Sequence, residues 1–285
     1  MWIFNYFHYE EFIDWLCVIA VQAGLFLLGE VIGKKRANVL VSQGLYSPFN
    51  PLAMIGTPIH ELGHLVFAVI FRCKIQSLQF FPSRNKAVTE LGKVRLGYVS
   101  YTYNKKNFIQ SSGRMLIATG PIYAGILAIA IVSYFLNESR LIVAMGNIVS
   151  AAFDVSDGRM IIVYYFEHFK EIFQSIVLAL FPIDLPVWEV VCSAVLILAI
   201  SLHMQLSKED MSGYIFGATV FTVIVFALCW IPEGVPYISV IMRKFSVLLL
   251  VLVCSTGVLV TVMQILALIF SILAVSFLKL VKMIF

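Results

Sequence analysis

Residues 51–71 form an apolar run interrupted by His60-Glu61-Leu62-Gly63-His64. The flanks, among them Ile55, Ile59, Leu65, Val66, Val69 and Phe71, leave nearly every face of a helix apolar, as in a membrane span. An ionisable side chain at the middle of a bilayer costs at least about 2.5–3.5 kcal/mol and is kept where it has a function and a partner. The fold must therefore enclose one face of this helix. On that face His60 and His64 stand at i and i+4, with Cβ atoms about 5–6 Å apart, so both imidazoles reach one metal ion. Two neutral histidines at this spacing are the usual first ligands of a catalytic zinc, and Glu61 stands beside them with no need to bind the metal. Zinc lowers the pKa of a bound water to about 7, and a carboxylate within hydrogen-bond reach takes its proton as it attacks a carbonyl. A chance match on an ordinary helix is the competing explanation, and the apolar flanks weigh against it.

The rest of the chain is apolar too. With 61% hydrophobic and 13% charged residues and a mean hydropathy of +0.95, the 285 residues read as a mainly α, multi-pass membrane protein in one membrane-embedded domain, 1–285. Its surroundings are then the lipid bilayer. The pI of about 8.7 comes from Lys and Arg gathered in loops, a matter of membrane topology and not of nucleic-acid binding. Five cysteines give no disulfide framework: Cys17, Cys192, Cys229 and Cys254 fall in apolar spans, and only Cys73 is expected in a loop.

Along the chain, a first span over residues 12–33 is stopped by Lys34-Lys35-Arg36, and a polar connection leads to the metal helix at 52–71, with Pro58 near its histidines. From Arg72 to Arg114 the basic residues meet a single acid, Glu90, so the segment 72–110 is expected on the cytoplasmic side. Stretches 75–81 and 93–103 are rich in β-branched and aromatic residues and predict a small sheet at the membrane surface. Lys34-Lys35-Arg36 then falls outside, against the positive-inside tendency, and the more numerous later charges decide. Further spans are expected at 114–136, 187–206, 213–231 and 245–278, about six transmembrane helices in all. The first of these is expected to break at Thr119-Gly120-Pro121, which a membrane helix tolerates where it lines a cavity or packs closely against a neighbour, and Gly120 and Pro121 are candidate substrate-binding residues. The last is either one strongly tilted helix or a broken one. Residues 137–186 are open between crossing, re-entering and lying at the surface.

A peptide bond within a helical segment has its backbone groups bonded to one another, so a protease must unwind that segment and offer new partners. Residues 97–103, with Gly97, Tyr98, Val99 and Tyr101, suit an edge strand that does this by strand addition.

These features together resemble the site-2 protease group of intramembrane zinc metalloproteases: HELGH in a membrane helix, a basic β-rich segment after it, and a Gly-Pro step in the next span. The stretches GTPIHELGHLVFAVIF, LGYVSYTYN, ATGPIYAG and LHMQLSKEDMSG are similar to a bacterial branch of that group. The resemblance implies a zinc endopeptidase of the bacterial cytoplasmic membrane that cuts a membrane-embedded or membrane-adjacent protein or peptide. It also implies a third zinc ligand, an aspartate on a later helix, for which Asp210 is preferred and Asp157, in Asp157-Gly158-Arg159, is the alternative. His203 is expected as a packing or supporting residue. Two other classes compete, an inactive metal-binding scaffold and an ion or zinc transporter. Glu61 argues against the first, and the scarcity of polar residues in the spans from Gly213 and Phe245 against the second.

Overall fold

Long apolar stretches, with few glycines and prolines to interrupt them, put most of the chain into helices. The computed structural model describes residues 9–41, 51–81, 97–154, 158–204, 207–228 and 236–284. In chain order the elements are α1 (Tyr9–Val41), α2 (Pro51–Ile70), β1 (Lys74–Gln79), β2 (Tyr98–Thr102), α3 (Phe108–Leu136), α4 (Arg140–Phe153), α5 (Gly158–Glu167), α6 (Phe169–Leu180), α7 (Val187–His203), α8 (Lys208–Leu228) and α9 (Pro236–Ile284). Among the described residues four helices, α1, α2, α3 and α9, are long and apolar enough to cross a membrane. Helix α7 and the apolar part of α8, Asp210–Ile224, are shorter.

Helix α2 packs along α3 and α7, α3 also packs on α8, and α1 runs along α9. The α2–α3 approach depends on two glycines: a Cβ on Gly63 or on Gly120 would strike the other's main chain. Where α3, α7 and α9 meet, Ile129, Ile197, Leu250 and Met263 are fully buried. Large apolar side chains such as Val69, Leu127 and Phe135 stay exposed on the outer faces of α2 and α3, as a lipid-facing surface requires.

Several boundaries differ from those expected. Helix α1 runs on through Lys34-Lys35-Arg36 to Val41, because lysine and arginine end an apolar stretch but are good helix formers. Helix α3 starts at Phe108, where the Asn107 side chain accepts hydrogen bonds from the Ile109 and Gln110 amides at 3.0 and 3.3 Å. It is not broken at Thr119-Gly120-Pro121 but continues with Pro121 inside it. Helix α9 is one unbroken helix of 49 residues.

The described residues of 137–186 include three short helices of 14, 10 and 12 residues, against the roughly 20 a span requires. The two ends of the segment are tied together. Asn137 Nδ2 donates to the Ala179 carbonyl at 2.7 Å, and Arg140 pairs with Asp184 at 2.6 Å. The chain therefore leaves the end of α3 and returns beside it, so that α7 runs back toward the start of α3.

Strands β1 and β2 pair antiparallel, with Leu78 opposite Val99 and an irregularity between Ile75 and Ser77. The expected strand residues 93–96 lie outside the described residues. Helix α2 ends by a left-handed Arg72 (φ 54°), which lets the Cys73 amide bond back to the Ala68 carbonyl at 2.8 Å. Cys73 is buried with Ala68 and Ile117 rather than free in a loop, and burial pushes its thiol pKa up. Phe71, Ile75, Tyr101 and Tyr103 pack around this cluster and seat the sheet on the ends of α2 and α3.

Candidate metal centre

His60 and His64 lie on the buried side of α2, and each ring is fixed by a main-chain carbonyl from another helix. His64 Nδ1 donates to the Ile117 carbonyl on α3 at 2.8 Å, and His60 Nδ1 donates to the His203 carbonyl at the end of α7 at 2.5 Å. A carbonyl oxygen only accepts, so both Nδ1 atoms carry the proton and both Nε2 atoms present lone pairs. Those two atoms are 3.2 Å apart.

Neither carbonyl is available by chance. In a helix the Ile117 oxygen would accept from the amide four residues on, which is Pro121, and proline has no N–H. The freed acceptor is taken by His64, and this satisfied partner is the reason that α3 tolerates Pro121 without a break. The His203 oxygen lies at a helix end, where the last carbonyls have no helical donor. Its helical donor would have been the Ser207 amide, which donates instead to Asp210 Oδ2 at 2.8 Å.

Asp210 arrives in the first turn of α8. Its amide donates to Ser207 Oγ at 3.1 Å while its carboxylate accepts from the Ser207 amide, a reciprocal capping box. The box leaves Oδ1 pointing at His64 Nε2, 3.2 Å away, with Oδ2 4.0 Å from His60 Nε2. With both Nδ1 atoms protonated, His60 Nε2, His64 Nε2 and an Asp210 oxygen converge as three potential ligand atoms, an arrangement that suits a cation. A tetrahedral ion with bonds of about 2.0–2.1 Å places neighbouring ligand atoms about 3.3 Å apart. Two of the three edges match that spacing, and His60, His64 and Asp210 form a group that can hold a metal ion. Asp157, the alternative third ligand, lies outside the described residues.

Glu61 is buried, 7% exposed, between this group and the sheet. Gly97, just before β2, presses on α2 there: a Cβ at Gly97 would lie 2.8 Å from Thr57 Cγ2 and 2.9 Å from Glu61 Cγ. The start of β2 is thereby held over Glu61. Tyr98, Val99 and Tyr101 follow on the strand, half-buried. Burial raises the Tyr101 phenol pKa, and the Arg114 guanidinium opposes that shift. Gly120 and Pro121 are buried where α3 meets α2.

Sequence reasoning missed the two carbonyl partners, since a main-chain oxygen has no residue type. Pro121, four residues after Ile117, and the Ser207-x-x-Asp210 spacing were the available traces. His203 supports the site as expected, but through its backbone, while its own Nδ1 donates to Ala199 at 2.9 Å. Gly56 permits this contact, because a Cβ there would collide with the His203 ring and the Ala199 carbonyl. No family profile, curated protein or solved structure matches the chain.

Proposed function

We propose that this chain is a zinc-dependent endopeptidase that hydrolyses a peptide bond in a membrane-embedded or membrane-adjacent segment. The observation behind the proposal is the convergence of His60 Nε2, His64 Nε2 and Asp210 Oδ1 beside a buried carboxylate, Glu61, that is not among the ligands. A zinc ion held by these three residues supplies Lewis acidity, acidifying water to a pKa of about 7 and polarising a carbonyl oxygen.

The remaining work belongs to the protein. Glu61 takes the proton of the attacking water and returns it to the leaving amine as the C–N bond breaks. The Ile117 and His203 carbonyls hold the imidazole rings in place through that exchange. Gly97 and the strand from Val99 hold an unwound substrate segment extended beside Glu61, giving its backbone groups new partners.

The test is Glu61→Gln in the purified full chain, with metal analysis beside cleavage of a membrane-spanning peptide. The expected result is about one zinc per chain in both proteins, with proteolysis lost in Glu61→Gln. Undiminished cleavage by Glu61→Gln would refute the assignment.

A further inference from the structure

Thr57 is 4% exposed, and its Oγ1 has no hydrogen-bond partner among the described residues. Three other helical threonines avoid this state. Thr119, Thr219 and Thr222 each return their hydroxyl to the carbonyl four residues earlier, at 3.0, 2.8 and 2.8 Å. That solution involves nothing outside the residue's own helix, and Thr57 does not adopt it. A buried polar atom left without a partner points to a group that arrives later.

The position of Thr57 says what that group is. Thr57, His60, Glu61 and His64 follow the i, i+3, i+4, i+7 pattern of one helix face. At about 100° per residue, Thr57 falls in angle between the two ligand histidines on one side and Glu61 on the other, one turn nearer the N-terminus. Gly97 closes over both Thr57 and Glu61, so a segment held along β2 passes both side chains.

Resting on the peptidase reading, we propose that the Thr57 hydroxyl donates a hydrogen bond to the carbonyl oxygen of the scissile bond and strengthens it as that oxygen becomes negative. The water oxygen adds to the carbonyl carbon, and the C=O π pair moves onto the oxygen facing Thr57. Glu61 holds the water's proton. The pair then returns, the C–N bond breaks, and the nitrogen takes the proton from Glu61, leaving a carboxylic acid and an amine. Thr57 neither gains nor loses a proton, so it acts as an oxyanion donor.

Thr57→Val keeps the side-chain shape and removes only the hydroxyl, and Thr57→Ser keeps the hydroxyl. In the zinc-loaded full chain, Thr57→Val should lower kcat for a membrane-spanning peptide about 100-fold with KM little changed, the loss expected for one oxyanion donor. Thr57→Ser should stay within about 3-fold of the original, and both variants should keep their zinc. A second measurement needs no turnover: the hydroxamate of acetyl-leucyl-leucine, which places an anionic oxygen at the metal, should bind Thr57→Val about 10-fold more weakly and Thr57→Ser unchanged. Equal hydroxamate binding by Thr57→Val and the original chain overturns the proposal. So does an equal loss in Thr57→Ser, which would make the methyl group the important part. Thr57-dependent hydroxamate binding in a chain that cuts no peptide would sink the peptidase reading and overturn the scissile-bond assignment with it, whereas Thr57-independent binding in a chain that does cut peptides overturns the Thr57 proposal alone.

Discussion

The third ligand decides how the centre is built, and single residues give opposite outcomes. Asp210→Ala removes an atom 3.2 Å from His64 Nε2 together with half of a capping box, so metal affinity should fall by more than the roughly 10–100-fold typical of losing a supporting partner. Asp157→Ala should change it little, and the reverse pattern, read by metal titration, would transfer the site to Asp157. The supporting shell makes a subtler prediction. Pro121→Ala gives the Ile117 carbonyl back its helical donor in competition with His64 Nδ1, so affinity should fall about 10-fold. His203→Leu should cost far less than His60→Ala, since His203 holds His60 by a carbonyl that every residue has. The group that can hold a metal ion was legible because HELGH is local and Asp210 stands in a recognisable stretch. Their carbonyl partners were not, because the acceptors lie on α3 and α7 and are independent of side-chain identity.

Among the elements, β2 is the one whose role is open to a clean experiment. Proline at Val99 removes an amide from a five-residue strand while leaving every metal ligand untouched. Val99→Pro should retain its zinc and lose cleavage of a membrane-spanning peptide by at least about 10-fold, because the substrate's unwound backbone then has no template. Normal cleavage with normal zinc would remove β2 from the substrate path. The long apolar elements were readable from composition, and the strands from their β-branched and aromatic content. Helices α4 to α6 were not, since short helices that fold back between longer ones carry neither a span's length nor a loop's polarity. Boundaries slipped wherever the stop was read from charge, as at Lys34, instead of from a cap such as Asn107.

For the whole molecule, the return of residues 137–186 to their starting point fixes which way α7 runs, and one exposed ion-pair cluster guards it. Arg140 meets Asp184 and Glu138 at 2.6 and 3.0 Å, and the guanidinium holds the Asp184 carboxyl below the usual carboxylate range. A depressed carboxyl stabilises the fold above its unfolded pKa and loses that contribution as pH falls through its folded value. Thermal unfolding in detergent should therefore show the original chain above Asp184→Asn near neutral pH, with the gap closing on acidification. High salt should narrow it as well, because the pair is exposed. A gap that persists below the carboxylate range would remove the ion pair from the account.

His60 and the carbonyl that steadies it stand 143 residues apart, and Asp210 comes later still. During synthesis the metal helix enters the bilayer long before its partners exist. A nascent or truncated chain that stops short of α8 holds two histidines and a glutamate but no complete centre. If the chain is the peptidase proposed above, its hydrolytic capacity arrives last, when the bundle is nearly whole, and a half-made copy cannot cut its neighbours.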